Sequence, residues 1–282
     1  MSRQNRRILL NKIIMLLSTV AAITGLIFLF WIIAVLFYKG FAALNLDIFL
    51  YDMAPPGREP SGLRNALVGQ LMLVLGASVI GVPIGVLAGT YLSEYGGKNS
   101  RLARLVRDIS DIMMSTPSIV IGAFIYAVLV APVGHFSGWA GIAALAVMMV
   151  PIVLRTTDDM LQLVPGSLRE AAIALGAPKY KVIIQVVYRG AKTGMLTGIL
   201  LSIARIAGET APLLFTSFSN NFYSTDLDKP IASLTVTMYN YATSPYEEWI
   251  DRGWAAALIL ALFVLGANII GRIIIRKRKG EQ

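Results

Sequence analysis

The sequence lacks cysteine, contains a single histidine and is poor in charge. Only 15% of its 282 residues are Asp, Glu, Lys or Arg, whereas soluble domains have about 25%. The absence of cysteine excludes disulfides, thiolate metal sites and a cysteine nucleophile. His135 alone leaves little scope for a histidine-based metal or catalytic cluster. With 56% hydrophobic residues, the composition is that of a polytopic membrane protein.

Long apolar runs predict an all-α protein with six membrane-spanning helices. A helix crosses the hydrocarbon core with about 20 apolar residues. The first run follows basic residues but is too long for the apolar region of a signal peptide, so we interpret it as an uncleaved helix. The six predicted spans are 13–37, 66–92, 112–133, 139–161, 193–216 and 253–275.

Basic residues are concentrated in alternate loops. The two termini and the loops 93–111 and 155–192 together contain 19 Lys and Arg, with Arg272 counted in the C-terminal tail, and the three opposite loops contain 5. The positive-inside rule therefore predicts that both termini are cytoplasmic. Because this topology accounts for the net charge of +9, nucleic-acid binding is not needed to explain it.

Residues 101–113 have apolar positions at helical spacing and basic residues elsewhere. This pattern predicts an amphipathic helix at the cytoplasmic surface, in contact with lipid headgroups, or an inward extension of the third span. We interpret the following Pro117 as a kink near the inner mouth of that span. The less favoured alternative is that the neighbouring hydroxyls line a path for a solute: Ser115, Thr116 and Ser118.

The loop 155–192 predicts a helical hairpin. Ser167 and Glu170 have the spacing of a capping box, and a helix over 168–175 would end at Gly176. A second helix is expected to begin near Lys179. The small side chains of this hairpin would let another protein approach closely, although a well-capped connection explains them too: Ala171, Ala172 and Ala174.

The fifth predicted span contains two charged residues, Arg205 and Glu209. A charge at the bilayer centre costs about 2.5–3.5 kcal/mol, so such residues usually face a protein interior or a water-filled path. Their spacing of four residues predicts one shared helical face. Pro212 cannot donate to the carbonyl of Gly208, which would loosen the helix beside Glu209. Small and polar residues are expected on the same face: Gly194, Gly198 and Ser202.

Two interpretations of this pair stay open. The planar fork of Arg205 suits bidentate binding of an oxyanion, while Glu209 would orient the anion and keep it from binding too tightly. Alternatively, the two charges neutralise each other and stiffen the bundle, although buried pairs often add little net stability. Because ionisable residues inside membranes are functional by default, we favour a role in transport.

No nucleotide site is expected in this chain. The sequence around Lys192 lacks the glycine spacing of a P-loop, and no strand is expected before it. Energy for transport must therefore come from another chain or from an ion gradient. An ion-driven transporter usually shows inverted repeats, and no convincing internal repeat is present. A membrane scaffold or assembly factor is a further alternative.

The sequence Glu170-Ala171-Ala172 followed by Gly176 resembles the start of the EAA loop of the binding-protein-dependent ABC importer permeases. In that family the loop forms a coupling helix that docks on the ATPase subunit. The family usually has a proline about ten residues after the glycine, and none is present in 186–189. Three further stretches resemble the phosphate-specific members: 91–96, 116–122 and 204–212.

This resemblance implies a type I (MetI-like) importer permease fold in three regions. Residues 1–62 would form an N-terminal transmembrane helix with an outer linker, 63–275 the permease domain and 276–282 a basic cytoplasmic tail. It also implies a non-catalytic subunit of an ATP-driven phosphate importer in the bacterial inner membrane. Another oxyanion, or an ion-gradient-driven transporter, is the alternative.

The resemblance also implies site residues and partners. The translocation residues would be Arg205, Glu209, Thr210 and Ser202, and the coupling residues Glu170, Ala171, Ala172 and Gly176. The implied partners are a PstC-like second permease, a PstB-like ATPase dimer, a PstS-like phosphate-binding protein and membrane lipid. No cofactor or metal is expected in this chain, because ATP and Mg would bind to the ATPase.

Overall fold

A computed structural model describes residues 3–97 and 100–277, and these residues contain helices but no strand. Three π-helical turns interrupt or extend the helices, at Tyr91–Tyr95, Tyr126–Val130 and Ile183–Val187. The α-helices in chain order are α1 (Arg3–Ala43), α2 (Asp47–Leu50), α3 (Arg64–Thr90), α4 (Arg101–Ser115), α5 (Ser118–Ile125), α6 (Gly138–Gln162), α7 (Gly166–Ala174), α8 (Lys179–Val182), α9 (Tyr188–Ala207), α10 (Ala211–Thr216), α11 (Leu234–Ala242) and α12 (Glu247–Lys277).

Four helices of the described ranges are long and apolar enough to cross a membrane: α1, α3, α6 and α12. They confirm the first, second, fourth and sixth predicted spans to within a few residues at most ends. Together, α4 and α5 would make a fifth span, but they are bent by 106°. The predicted count of six spans is therefore not confirmed, since two of the predicted spans are broken.

The first broken span is 112–133. Thr116 has an extended backbone (φ −73°, ψ 132°), because the ring of Pro117 disfavours a helical conformation in the residue before it. The amphipathic helix α4 is therefore separate, as predicted, and its N-terminus is capped by the Ser100 hydroxyl, which accepts from the Ala103 N–H. Its interpretation as an inward extension of the third span is wrong, and the apolar helix begins only at Ser118.

The second broken span is 193–216. Helix α9 ends at Ala207, and α10 begins at Ala211. Pro212 lies in the first turn of α10, where backbone N–H groups have no acceptor within the helix, so the N–H that proline lacks is not needed there. The sequence predicted a loosened helix at this point, and the structure shows a complete break over residues 208–210.

The centre of the bundle is formed by α3, α6 and α9. Close approach of α3 to α6 depends on a row of glycines, as is common for helices that pack in membranes. A Cβ on Gly85 would lie 2.7 Å from the Cβ of Val153, and one on Gly89 would lie 2.6 Å from the Leu154 carbonyl oxygen. A larger side chain at either glycine would therefore push the two helices apart.

The two outer connections pack against the bundle. Ile48 and Leu63, from the segment between α1 and α3, are buried in one cluster with Leu234 and Tyr241 of α11. The segment 217–252, one of the three loops opposite the termini, contributes α11, whose inner face is buried. Helix α1 contacts the bundle near Gly40, which lies against Leu258, and its earlier apolar side chains are exposed.

The α3–α6 contact gives a test of this packing. Gly85→Leu should lower the free energy of unfolding by about 1–3 kcal/mol or more, because the added side chain overlaps Val153. Thermal unfolding of the purified protein in detergent measures the change. Gly25→Leu is the matched control, since no atom lies within 4 Å of a Cβ at that position of α1. Equal stability of the two variants would contradict the packing described here.

Candidate anion site and coupling surface

Arg205 and Glu209 line one cavity of about 200 Å³. Arg205 lies in the last turn of α9, and Glu209 lies in the break between α9 and α10. The bend between α4 and α5 and one side of α6 complete the wall. The other lining residues are Met113, Met114, Thr116, Pro117, Ser118, Ile121, Met148 and Ile152.

The two charged residues do not pair with each other. Both lie in the described part of the chain, and neither side chain takes part in an ion pair there. The prediction that they share a helical face is wrong, because the helix ends at Ala207, before Glu209 is reached. This geometry does not support the self-neutralising interpretation, and it leaves the Arg205 guanidinium available to an anion in the cavity.

The break between α9 and α10 is held by side chains from two other helices. Gln70 of α3 is 4% exposed, and its Nε2 donates to the Ala207 carbonyl at 3.1 Å. Its Oε1 accepts from the backbone N–H of Leu234 at 3.0 Å. The Thr235 hydroxyl donates to the Glu209 carbonyl at 2.9 Å. Backbone groups freed by a broken helix need such partners away from water, and these bonds fix where Glu209 lies.

The two broken spans meet beside the cavity. A Cβ on Gly122 of α5 would lie 2.6 Å from the Cα of Pro212 in α10, so the two short helices are in direct contact. Ser118, the first residue of α5, and Pro117 before it lie on the cavity wall. The bend that positions α5 therefore also positions the wall opposite Arg205.

The structure separates the four residues predicted for translocation. Arg205 and Glu209 lie together, but Ser202 is completely buried, and its hydroxyl donates to the Ile199 carbonyl at 2.7 Å. Thr210 lines a different pocket of about 440 Å³, which is mostly apolar and is formed by α11 and α12. The roles of these residues in translocation stay predictions.

The predicted small, polar face of α9 is a helix-packing surface. A Cβ on Gly198 would overlap Thr156, and one on Gly194 would overlap Met160, both on α6. At these two glycines the face of α9 is therefore covered by α6.

The sequence analysis gave two site residues too little weight and missed two others. Thr116 and Ser118 line the cavity, which favours the alternative that hydroxyls beside Pro117 line a path for a solute. Gln70 was not singled out, although a glutamine inside an apolar span is a polar signal that can be read from sequence. Thr235 gave no such signal, because its segment was interpreted as an outer loop.

Three of the four residues predicted for coupling, Glu170, Ala171 and Ala172, lie on α7, which has no buried residue, and Gly176 follows this helix. Three large apolar side chains on this hairpin are exposed: Leu168, Ile173 and Leu175. The predicted end of this helix at the glycine turn is confirmed. Gly176 has φ +81° and donates to the Ile173 carbonyl at 2.9 Å, and Ala177 donates to Ala172 at 3.2 Å.

The predicted capping box is wrong. Helix α7 begins at Gly166, directly after Pro165, so Ser167 lies inside the first turn and its side chain makes no capping hydrogen bond. Glu170 is exposed on the same helix, next to Ala171, while Ala172 packs partly against the bundle.

A partly buried ion pair anchors α7 to the bundle. Arg169 Nη2 lies 2.7 Å from Oε1 of Glu94, whose side chain is 7% exposed. Arg169 also donates to the Leu161 carbonyl at the end of α6. Lys179 donates to the Glu94 carbonyl at 2.6 Å, so both helices of the hairpin are tied to the π-helical turn that follows α3. Removing Arg169 would leave the carboxylate of Glu94, which is 7% exposed, without its cation, which is destabilising.

Comparisons with known proteins agree with this architecture. The family model described as "Binding-protein-dependent transport system inner membrane component" matches residues 81–280. A chain of the MetNI methionine ABC transporter, solved in an inward-facing conformation, superposes with a TM-score of 0.60 at 22% identity, over 76% of this chain and 92% of that one. A chain of an amino acid ABC transporter gives a TM-score of 0.55 at 19% identity, over 76% and 94%. These likenesses show the MetI-like importer permease fold.

Curated relatives align over almost the whole sequence. The "Phosphate transport system permease protein PstA" of Yersinia pestis is 52% identical, covering 95% of this chain and 91% of that protein. The protein of the same name from Haemophilus influenzae is 51% identical, covering 95% of both. That from Mycobacterium leprae is 35% identical, covering 94% and 88%.

The chain therefore belongs to the binding-protein-dependent transport system inner membrane components, the permease subunits of ABC importers. Within that family it groups with the PstA permeases. This membership places it in the inner membrane as a multi-pass protein, and it argues against the ion-gradient and scaffold alternatives.

The bonds of Gln70 give a second test. Gln70→Leu leaves the Ala207 carbonyl and the Leu234 N–H without their partner, so the free energy of unfolding should fall by roughly 1–3 kcal/mol for each unpaired group. Thermal unfolding in detergent reports this loss. Gln185→Leu, at an exposed position before α9, should have little effect. An unchanged melting temperature for Gln70→Leu would show that the break does not depend on it.

Proposed function

We propose that this chain is one of two permease subunits of an ATP-driven importer of inorganic phosphate. The single observation that supports the substrate most directly is the Arg205–Glu209 cavity in a chain 52% identical to a PstA permease. Phosphate is the substrate named for the curated relatives. The cavity contains a cation and a carboxylate that are not paired with each other, which suits an anion that retains a proton. The chain itself has no catalytic role.

Arg205 binds the anion as it passes. A guanidinium presents several donors in a plane, which matches two oxygens of a phosphate. Ser118 and Thr116 line the same cavity, and their hydroxyls can donate to a third oxygen. With one cation and no enclosing cage, the site holds phosphate briefly and releases it.

Glu209 distinguishes phosphate from sulfate. An ionised carboxylate only accepts hydrogen bonds, so it favours an anion that retains a proton. Phosphate is protonated near neutral pH, and sulfate is not. The negative charge of Glu209 also opposes a long stay of the anion on Arg205.

Coupling to ATP uses the hairpin that begins with α7. Glu170, Ala171, Ala172 and Gly176 dock on a PstB-like ATPase dimer, which binds ATP and Mg. The exposed side chains of Leu168 and Ile173 support a protein contact there, because exposed apolar patches commonly mark interaction sites.

A PstC-like permease completes the path, and a PstS-like protein delivers phosphate from outside. Both termini then lie in the cytoplasm, in agreement with the distribution of basic residues.

Replacement of Arg205 tests the anion site. Arg205→Gln in the full complex should lower phosphate uptake into proteoliposomes at least about tenfold, because a charge-assisted bidentate contact is lost. Arg104→Gln, which removes an exposed charge from α4, should transport normally. Wild-type uptake by an assembled Arg205→Gln complex would exclude this residue from the path.

Replacement of Glu209 tests selectivity. Glu209→Gln keeps the shape of the side chain but adds donors, so sulfate should compete better with phosphate. Competition uptake with labelled phosphate and unlabelled sulfate measures the preference. Glu247→Gln, at an exposed position of α12, is the control. The selectivity role is wrong if the preference of Glu209→Gln equals that of the control.

A further inference from the structure

A second basic region lies on α9, away from Arg205. Arg189 and Lys192 border a groove of about 370 Å³ between α3 and α9, and both side chains are exposed. The remaining lining residues are apolar or aromatic: Val86, Ile184, Tyr188, Met195, Leu196 and Ile199. We call this the basic groove.

The charge of the basic groove is not neutralised by the protein. No Asp or Glu lines it, and within the described residues neither Arg189 nor Lys192 forms an ion pair. By contrast, Arg107 and Arg169 each contact a buried carboxylate, Asp158 and Glu94. The basic groove is therefore complementary to an anion supplied from outside the chain.

The cations and the apolar residues occupy different levels of the groove. Arg189 and Lys192 lie in the first two turns of α9, at the end of the bundle that holds α7, and Met195, Leu196 and Ile199 follow towards the middle. From Arg189 to Ile199 the helix rises about 15 Å, at 1.5 Å per residue. That length is half of a hydrocarbon core about 30 Å thick, which is the depth of one leaflet.

Hydrogen bonds between α3 and α9 hold the wall of the groove in place. The Tyr188 hydroxyl lies 2.8 Å from the Thr90 hydroxyl of α3, and Thr90 itself donates to the Val86 carbonyl. These bonds keep α3 and α9 at a set distance at the charged end. The groove is thus a preformed surface, in which a bound chain need not reorganise the helices.

The cations of the basic groove lie on the opposite side of α9 from Arg205. At about 100° per residue, Arg189, Lys192 and Leu196 lie roughly 140–180° around the helix from Arg205, and Met195 and Ile199 lie roughly 80–120° from it. The proposed function places the second permease on the Arg205 side, where the path runs between the subunits. The basic groove then faces lipid, and this step rests on the proposed function.

We propose that the basic groove binds one anionic phospholipid of the cytoplasmic leaflet. Its headgroup phosphate contacts Arg189 and Lys192, and an acyl chain lies along Met195, Leu196 and Ile199. Basic pockets between membrane helices on the cytoplasmic side bind anionic headgroups in this way, and the apolar part of the groove excludes a purely polar ligand.

The test measures lipid binding to the complete, delipidated transporter by native mass spectrometry. Dioleoyl-phosphatidylglycerol should bind more tightly than dioleoyl-phosphatidylcholine. The double variant Arg189→Gln/Lys192→Gln should bind phosphatidylglycerol about tenfold more weakly, because two headgroup contacts are lost. The control Arg104→Gln/Lys181→Gln removes the same charge from exposed positions on α4 and α8 and should bind like the wild type. Leu196→Trp, which fills the groove without changing its charge, should also weaken binding.

Three results would overturn the inference. Unchanged phosphatidylglycerol affinity of the double variant would show that the cations do not bind the headgroup. Displacement of the lipid by millimolar inorganic phosphate would assign the site to the free anion. Separation of the two permeases by the double variant, at unchanged lipid binding, would assign the groove to the partner subunit. Phosphate uptake by Arg205→Gln is a separate readout, so failure of the proposed function is distinguishable from failure of this inference.

Discussion

The structure depends on how the broken fifth span satisfies its backbone. In an apolar environment a helix cannot end without partners for its last carbonyls, since water is not available to bind them. Gln70 and Thr235 provide those partners, and Gln70 also binds the N–H of Leu234, where α11 begins. Three distant segments therefore meet at the break. Because Glu209 lies in the break between α9 and α10, its carboxylate is not on the helical face of Arg205 and does not pair with the guanidinium. The arrangement of Arg205 and Glu209 in the candidate anion site therefore follows from where the helix ends.

A second set of polar contacts joins α7, the candidate coupling helix, to this site. Arg169 binds Glu94 beside α3, and in the same π-helical turn the Leu92 carbonyl accepts from Arg107 of α4 at 3.4 Å. Arg107 also pairs with Asp158 of α6, whose side chain is 2% exposed. Helix α4 in turn contributes Met113, Met114 and Thr116 at or beyond its end to the cavity wall. Two ion pairs, each with a buried carboxylate, thus connect α7 to the helix that ends at the bend before Pro117. Because such pairs are costly to break, they hold these helices in one arrangement.

Much of the fold could be read from the sequence, and the parts that could not are non-local. Apolar length predicted α1, α3, α6 and α12, and amphipathic spacing predicted α4, because both patterns are properties of a single segment. Pro117 was identified, but a proline does not reveal whether a helix kinks or turns by 106°. The break at Gly208 depends on Gln70, which lies 137 residues from its acceptor in the chain, and no local pattern encodes that pairing. Arg205 and Glu209 were found because charge in an apolar span is rare. Their separation was not found, since it follows from the break.

Helix α9 is the element in which these constraints combine. Gly194 and Gly198 seat it directly on α6, so it cannot turn about its axis without a clash with Met160 or Thr156. Gln70 of α3 fixes its end beside the cavity, and the Thr90–Tyr188 contact fixes its other end to the same helix. The position of Arg205 and the width of the basic groove are therefore set by one distance, that between α3 and α9. A molecule bound in the groove would stabilise the distance between α3 and α9. The same distance sets the position of the Arg205 guanidinium in the cavity, although the cations of the groove and Arg205 lie on different sides of α9.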